Sequence, residues 1–269
     1  MVVNPFIAIE QVCKTFPSDA GPVPVIDNVS LTIGEGEFVV FLGPSGCGKT
    51  TLMRMVGGLD HPTRGLIRLG GEPVLGPSRA KGMVFQSYSS FPWLTVLKNI
   101  RFGLKYRDDV SETEKDRIAR HYLDLVGLTP YADFYVSKVS GGMRQRVAIA
   151  RTLAANPQVL LMDEPFGALD AQTRERLQVQ LLDIRHAERK TVIFVTHDVD
   201  EAIFLADRIV VFSARPARLI RDIAVASRVP GERTLDNRES RPFLELRREI
   251  LAIIREEAQR NEASLMAAG

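Results

Sequence analysis

The 269-residue sequence has few cysteines and no long apolar run. Its two cysteines, Cys13 and Cys47, are too few for a disulfide framework and predict reduced thiols in a cytosolic compartment. No run approaches the roughly 20 apolar residues that a membrane-spanning helix needs. The N-terminus also lacks the charged start and apolar core of a secretion signal. We therefore expect a chain that works at a membrane only through a partner.

The sequence also lacks a charge excess of either sign. Lys and Arg total 35 against 33 Asp and Glu, so the net charge of +2 gives no basic footprint for nucleic acid. Internal repeats and low-complexity tracts are absent. One cationic tract stands out, but its arginines are spaced singly, which is typical of a solvated face. They are Arg215, Arg218, Arg221, Arg228 and Arg233.

The most informative stretch that is present is a glycine-rich loop between an apolar run and a helix start. Glu37–Leu42 predicts a strand and Thr51–Val56 a helix. Glycines let successive backbone N–H groups turn toward one anion, and the helix adds the positive end of its dipole. We expect Lys49 to reach the β- and γ-phosphates and Thr50 a Mg²⁺ ion; a chance glycine-rich turn is the alternative. The predicted phosphate-binding residues are Gly43, Pro44, Ser45, Gly46, Cys47, Gly48, Lys49, Thr50 and Thr51.

Apolar patterning predicts the fold class. Ile7–Val12 and Val29–Ile33 alternate apolar and polar residues, typical of a half-exposed antiparallel sheet, with a loop over Pro17–Pro24. Val159–Met162 and Thr191–Val195 are continuous apolar runs, typical of parallel strands buried on both faces. An α/β core with a mixed sheet follows.

Helical periodicity fills most of the remaining chain. A helical block between strands predicts an inserted subdomain over about residues 88–155. The tail is predicted to contain two edge strands, Ile209–Phe212 and Leu219–Val225. Its final helix carries an apolar stripe that we expect to pack on its own or a partner subunit. The predicted helices are Thr95–Leu104, Thr113–Val126, Gly141–Ala155, Thr173–Glu188 and Arg241–Arg260.

Polar side chains follow the predicted buried strands. Asp163 and Glu164 end one strand, Gln86 another, and His197 the last. Ligands of parallel sheets gather at the carboxyl ends of strands. Asp163 is therefore expected to hold Mg²⁺ and Glu164 to polarise an attacking water. His197 is expected to contact the γ-phosphate and Gln86 to ligate the metal; a solvated acidic turn and a structural histidine are the alternatives.

A second anion-binding helix start is predicted at Ser140, Gly141 and Gly142. Serine is a preferred helix cap, and the two glycines leave backbone N–H groups accessible. One nucleotide does not need two such sites from one chain. The pattern therefore indicates a dimer with ATP at the joint.

The ordered set of these motifs resembles the nucleotide-binding subunit of ABC transporters over about residues 6–215. The resemblance implies that Gly43–Thr50 is the Walker A loop, Asp163 the Walker B aspartate and Glu164 the catalytic glutamate. Gln86 matches the Q-loop, Ser140–Met143 the signature motif and His197 the switch histidine. Asp170 matches the D-loop, and Phe16 the aromatic that stacks on adenine; an ordinary core phenylalanine is the alternative. Met143 departs from the usual signature glutamine, so any amide contact from that position is lost.

A narrower resemblance implies a solute class and a partner. Phe91–Ile100, the signature segment and Asp163–Asp170 are similar to ATPases of nitrate/sulfonate/taurine-type importers. In that group the segment after Gln86 meets a permease helix, so the aromatics Tyr88 to Trp93 would form an exposed anchor. The alternative is that Trp93 packs inside the helical subdomain.

These resemblances imply an ABC ATPase domain at residues 1–225 and a linker and helix at 226–269. They imply an ATP- and Mg²⁺-dependent homodimer that drives permease subunits from the cytoplasmic face of the inner membrane, with an extracytoplasmic solute-binding protein in the full system. An exporter or lipid-transport ATPase, and a soluble ABC-type ATPase acting on nucleic acid or ribosomes, are the alternatives. The ATPase never touches the solute, so its sequence names none.

Overall fold

The structure, a computed structural model, describes residues 5–19, 21–86, 90–231 and 233–268. The chain divides into two compact units, one formed by residues 1–78 and 189–269 and the other by residues 79–188. The predicted contact residue Tyr88 lies outside the described residues. Among the described helices, not one combines the length and the apolar character that a bilayer crossing requires.

The first unit contains an antiparallel sheet whose strands are ordered β2-β1-β4-β5. The predicted antiparallel pairing of the two N-terminal runs is present, as Ile7 pairs with Ile33. The predicted loop Pro17–Pro24 is too long, because β2 begins at Val23 and Pro24 pairs with Thr15. β2 lies at the edge of this sheet, where a proline costs little. The strands are β1 (Ile7–Phe16), β2 (Val23–Ile33), β4 (Arg64–Leu69) and β5 (Glu72–Pro73).

A second group of strands in this unit has the order β10-β9-β3-β8. β3 pairs in parallel with β8 and β9, whereas β10 is antiparallel to β9. All residues of β3 and β8 are buried, as their continuous apolar runs predict. Ring contacts link Phe38 to Phe194 and Phe41 to Phe212 in this core. The strands are β3 (Phe38–Leu42), β8 (Thr191–Thr196), β9 (Arg208–Phe212) and β10 (Leu219–Ala224).

The prediction that both tail strands are edge strands is wrong for β9. This strand lies between β3 and β10, and Ile209, Val210, Val211 and Phe212 are all buried. Four consecutive apolar residues are the pattern of a strand covered on both faces. β10, half of whose residues are exposed, forms the border instead.

Among its described residues, three α-helices complete the first unit. α1 (Lys49–Gly57) follows the glycine-rich loop, and α6 (Val199–Leu205) follows β8. α7 (Arg241–Ala268) extends beyond the predicted end at Arg260 and packs on α6. Its predicted apolar stripe is buried at Leu246 and Ile250. The stripe therefore packs on the protein's own first unit.

The part of the second unit that the structure describes combines a parallel strand pair with four α-helices. β6 (Lys81–Val84) pairs with β7 (Val159–Asp163), and α2, α3 and α4 pack on one another. Thr95 and Ser111 cap α2 and α3 by accepting hydrogen bonds from backbone N–H groups. The helices are α2 (Val96–Phe102), α3 (Glu112–Leu125), α4 (Gly141–Ala154) and α5 (Ala171–Glu188). Short 3₁₀ turns lie at Thr129–Tyr131 and Val136–Lys138 here, and at Leu235–Glu239 in the first unit.

The five tail arginines are individually bonded rather than grouped for one ligand. Arg218 forms an ion pair with Asp27, and Arg228 with Glu249. Arg215, Arg221 and Arg233 donate to the backbone carbonyls of Pro24, Ile220 and Ala206.

Candidate functional site

The glycine-rich loop joins β3 to α1, as the sequence predicts. Gly48 lies at the helix start with φ 126°, and a Cβ there would approach the carbonyl oxygen of Val25 to 2.9 Å. Only glycine satisfies both conditions. Gly46 has φ 74° but faces open space, and a Cβ at this position would meet no described atom within 4 Å. The loop is therefore closed against the fold at Gly48 and open at Gly46.

The start of α1 has no side-chain cap and no acidic residue in its first turn. Its N–H groups and the positive end of the helix dipole are therefore not neutralised by side chains of the first turn. The Lys49 ammonium donates to the carbonyl oxygens of Gly43 and Pro44, both at 2.7 Å, and is 5% exposed. Lys49 thus lies inside the loop, where a bound phosphate would compete with these carbonyls for its protons.

A cavity of about 260 Å³ opens beside this loop, within the first unit. The predicted aromatic Phe16 lines it, while the Lys14 ammonium lies 4.7 Å from the centre of its ring. Lys14 is itself held by Asp60 at 2.8 Å. Phe16 is therefore a cavity residue and not a buried core phenylalanine. The cavity is lined by Phe16, Val25, Gly46, Gly48, Thr50, Thr51 and Arg215.

His197 is exposed and directly follows β8, also in the first unit. The next residue, Asp198, caps α6 by accepting hydrogen bonds from the N–H groups of Asp200 and Glu201. This cap fixes the direction in which the chain leaves the strand. His197 therefore lies at the carboxyl end of a buried strand, as predicted.

In the second unit the two predicted carboxylates end β7. Asp163 is 5% exposed, and Glu164 follows with φ 43°. A non-glycine residue in this region costs about 1–3 kcal/mol and is enriched at functional sites. The Gln86 amide donates to Glu164 Oε2 at 3.0 Å, so these two predicted residues are in direct contact.

The chemistry of the donor groups fits Mg²⁺. In the second unit Asp163 offers a buried carboxylate and Gln86 an amide oxygen, and in the first unit Thr50 offers a hydroxyl; each is a hard oxygen donor of the kind that Mg²⁺ prefers. Among the described residues, no group of three His, Cys, Asp or Glu side chains could hold a metal ion. Mg²⁺ keeps several of its waters and binds phosphate oxygens, so it is commonly held by only one or two protein carboxylates.

The second predicted helix start is present at α4. Ser140 is exposed, and its hydroxyl accepts a hydrogen bond from the Met143 N–H at 3.3 Å. No acidic residue lies in the first turn. A Cβ on Gly142 would meet Leu169 Cδ2 at 3.3 Å and the Ala168 carbonyl oxygen at 3.4 Å. The glycines thus bring α4 close to the segment that precedes Asp170.

Asp170 directly precedes α5. Its Oδ1 accepts a hydrogen bond from the Thr173 N–H at 2.9 Å, and this bond lowers the pKa of the Asp170 carboxyl below its ordinary value. The side chain is exposed. Asp170 therefore has a helix-capping role in addition to the role that its motif implies.

Gln145 was missed by the sequence reasoning. It is 1% exposed, and its amide donates to the carbonyl oxygen of Phe85 at 3.2 Å. Its Oε1 is buried and accepts no hydrogen bond from any described residue. Gln145 therefore ties α4 to the residue directly before Gln86. Its long polar side chain among the mostly apolar buried residues of α4 is the signal that could have identified it.

The loop before α2 displays an aromatic side chain. Trp93 is 69% exposed, which contradicts the alternative that it packs inside the subdomain. Asn99 is fully buried and bonds to both backbone groups of Phe91 and to the carbonyls of Leu94 and Thr95. Asn99 therefore fixes the backbone of the loop that carries Trp93, while the indole of Trp93 faces solvent.

The predicted residues thus form one group in each unit. The first unit brings together Phe16, Gly43–Thr50 and Thr51, with His197 at the end of a neighbouring strand. The second unit brings together Gln86 with Glu164, and places the Ser140 helix beside the segment that leads to Asp170.

Comparison with known proteins identifies the family. The family model described as ABC transporter matches residues 26–167. An uncharacterized ABC transporter ATP-binding protein of Methanocaldococcus jannaschii is 48% identical over 251 residues, covering 93% of this chain and 92% of that protein. The nitrate import ATP-binding protein NrtD of Synechocystis sp. is 44% identical, covering 96% of this chain and 98% of that protein. The bicarbonate transport ATP-binding protein CmpD of the same organism is 48% identical over 219 residues, covering 81% of this chain and 78% of that protein.

Solved structures agree with these relatives. The dimeric post-hydrolysis state of the ATP-binding cassette MJ0796, bound to ADP and Pi, is 34% identical with a TM-score of 0.75. The structural alignment covers 81% of this chain and 98% of the MJ0796 chain. A second dimeric structure of the same cassette has a TM-score of 0.75 at 35% identity, with the same coverage. The chain therefore belongs to the ABC transporter family, as an ATP-binding subunit with the ABC ATPase fold.

Proposed function

We propose that two copies of this chain sandwich two ATP molecules and drive a membrane importer. The observation that carries this proposal is the presence of two glycine-rich helix starts, one in each compact unit. α1 begins at Gly48 without a side-chain cap, and α4 begins after an exposed Ser140. Each ATP lies on the α1 start of one copy and is completed by the Ser140 helix of the other. Dimeric structures of a related cassette support this arrangement.

Within each site the chain's own groups bind and orient the triphosphate. The phosphate-loop N–H groups and Lys49 hold the β- and γ-phosphates, and Phe16 stacks on the base. Thr50, Asp163 and Gln86 would supply oxygen ligands for Mg²⁺, and the ion would neutralise charge on the phosphates.

Hydrolysis then depends on the pair Glu164 and Gln86. Glu164 accepts a proton from the attacking water, and Gln86, 3.0 Å from that carboxylate, fixes its orientation. His197 contacts the γ-phosphate. Ser140, Gly141, Gly142 and Asp170 approach from the other copy. ATP favours the closed dimer because these contacts exist only when the dimer is closed.

The transport partners follow from the exposed Trp93 loop and from the relatives. Trp93 anchors a helix of the permease, since a fixed exposed indole is a typical hot spot of an interface. The solute is nitrate, a sulfonate, taurine or a similar small solute, as relatives are named for nitrate import and bicarbonate transport. An extracytoplasmic binding protein delivers it, and the ATPase works peripherally at the cytoplasmic face of the inner membrane.

In this assignment residues 1–225 form the ATPase domain, with a helical subdomain at about 88–155. Residues 226–269 form a C-terminal linker and helix.

The dimer is tested with Glu164→Gln, which keeps the hydrogen-bonding shape but removes the base. Sedimentation of this variant with ATP is expected to yield a stable dimer with turnover nearly abolished. The control is the same variant with Lys49→Ala added, which should remain monomeric. A Glu164→Gln protein that hydrolyses ATP at the normal rate contradicts the assignment of the base.

A further inference from the structure

The loop between β9 and β10 is attached to strand β2, far away in sequence. The Ala217 N–H donates to the Val25 carbonyl at 2.8 Å, and the Asp27 N–H donates to the Ala217 carbonyl at 3.0 Å. Ser213 accepts a hydrogen bond from the Arg218 N–H at 2.8 Å, which closes the loop on itself. The loop therefore has a fixed position on the antiparallel sheet of the first unit.

This loop places Arg215 on the wall of the cavity that also contains the phosphate loop. Its Nε donates to the Pro24 carbonyl at 3.3 Å. Toward the described residues, the terminal amino groups of Arg215 donate no hydrogen bond, and the side chain is exposed. The Nε hydrogen bond holds the guanidinium in place, and its terminal N–H groups can therefore donate to a ligand that enters the cavity.

The anchor of Arg215 lies on the antiparallel sheet that also carries Phe16. Pro24 pairs with Thr15, the residue before Phe16, and precedes the lining residue Val25. The phosphate-binding end of the cavity is formed by Gly46, Gly48 and Thr50. Arg215 is therefore anchored on the same piece of sheet as the aromatic Phe16, rather than on the phosphate loop.

We propose that Arg215 is a further nucleotide-binding residue that contacts the base and ribose of ATP. The inference rests on the proposed function, because it takes the triphosphate to lie on the phosphate loop. A guanidinium is planar and presents several N–H donors, so it stacks on a purine or donates to ring nitrogens and ribose oxygens. Phe16 supplies one wall for the base and Arg215 another. Arg215 lies outside the nucleotide-binding motifs described above, so the local sequence pattern does not assign it this role.

The C-terminal helix holds the residue next to Arg215. Glu257 of α7 accepts a hydrogen bond from the Ala214 N–H at 3.2 Å. A carboxylate from α7 thus also holds this loop. Glu257 is a positioning residue for Arg215, and it gives α7 a connection to the nucleotide cavity.

The test compares Arg215→Ala with Arg218→Ala in the full chain. Both variants remove one positive charge from the same loop, but Arg218 pairs with Asp27 and does not line the cavity. Calorimetric titration with Mg·ATP and with inorganic tripolyphosphate separates the nucleoside from the phosphates. Arg215→Ala is expected to weaken ATP binding roughly tenfold, the value of one charge-assisted hydrogen bond, and to leave tripolyphosphate binding unchanged. Arg218→Ala should change neither.

Two results overturn the inference while leaving the proposed function intact. One is an Arg215→Ala protein that binds ATP as tightly as Arg218→Ala. The other is an equal loss of ATP and tripolyphosphate affinity, which would place Arg215 on the phosphates. An unsubstituted chain that binds no ATP at all overturns the proposed function and this inference together. Thermal unfolding of both variants serves as the control for folding.

Discussion

The starts of α1 and α4 are both glycine-rich, but they are stabilised differently. α1 begins at Gly48 with no side-chain cap, and its neighbour Lys49 is buried inside the loop. α4 begins with the exposed Ser140, whose hydroxyl caps the Met143 N–H. The backbone N–H groups at the start of α1 are left available for a ligand. At the start of α4, the Ser140 hydroxyl already accepts a hydrogen bond from one of these groups. This difference is what we expect if the start of α1 forms the primary anion-binding site of the chain. The start of α4 would then contribute a second site that binds only to the nucleotide held by another copy.

The largest effect is expected from Gly48→Ala, which adds a methyl group at the N-terminal end of α1. The new Cβ would lie 2.9 Å from the Val25 carbonyl oxygen at φ 126°. We expect a loss of stability of roughly 3 kcal/mol or more, because strain and overpacking add, and ATP binding should be lost. Thermal unfolding and ATP titration measure both.

Gly46→Ala is the matched control for this substitution. Gly46 has φ 74°, but its Cβ would meet no described atom within 4 Å, so we expect a cost of only about 1 kcal/mol. Equal destabilisation by the two variants would contradict the view that the loop is closed at Gly48 and open at Gly46.

An intermediate effect is expected from Ser140→Ala at the α4 start. Losing the cap should cost about 1 kcal/mol of stability. ATP binding to the single chain should be retained, while ATP-dependent dimerisation and turnover should fall sharply. Sedimentation with ATP measures dimerisation, and titration with ATP measures nucleotide binding, so together they distinguish a loss of one from a loss of the other. If Ser140→Ala weakens binding to the isolated monomer as strongly as Gly48→Ala does, the division of roles between the helix starts is wrong.

The smallest effect concerns α5, whose start is capped by a charge. The Thr173 N–H lowers the pKa of Asp170 from its ordinary value of 3.8. A lowered pKa in the folded state means that Asp170 stabilises the fold above pH 3.8, and that this contribution is lost as pH falls through the folded-state pKa. Asp170→Asn should therefore be less stable than the unsubstituted protein near neutral pH.

Chemical denaturation of Asp170→Asn and the unsubstituted protein across the acid range measures this difference. The stability gap is expected to narrow on acidification and to vanish once the carboxyl is protonated. A gap that stays constant with pH would show that the charge of Asp170 has no part in capping α5.

Local chemistry explains which features could be predicted from the sequence. Gly43–Thr50, the carboxylates at the end of β7 and the Ser140 cap each depend on residues adjacent in the chain, so their pattern is visible without the fold. The prediction also held for the buried parallel strands, whose apolar runs are continuous. The boundaries of β2 and the interior position of β9 depend on strand pairing and were predicted wrongly.

Contacts between distant residues could not be predicted. Arg215 and Pro24 are 191 residues apart, and Gln145 and Phe85 are 60 apart. The left-handed backbone of Glu164 and the multiple hydrogen bonds of Asn99 are likewise set by packing around them. The roles of such residues can be recognised only once the pairing of the surrounding strands and loops is known.

The most direct test of the shared site mixes two inactive variants. One chain carries Lys49→Ala and the other Ser140→Ala, so each lacks a different half of the site. In a mixed dimer, Lys49 of the second chain meets Ser140 of the first, and one intact site forms. The account predicts that ATP hydrolysis reappears on mixing at a level above that of either variant alone. A mixture as inactive as its components would contradict it, because each site would then be built within a single chain.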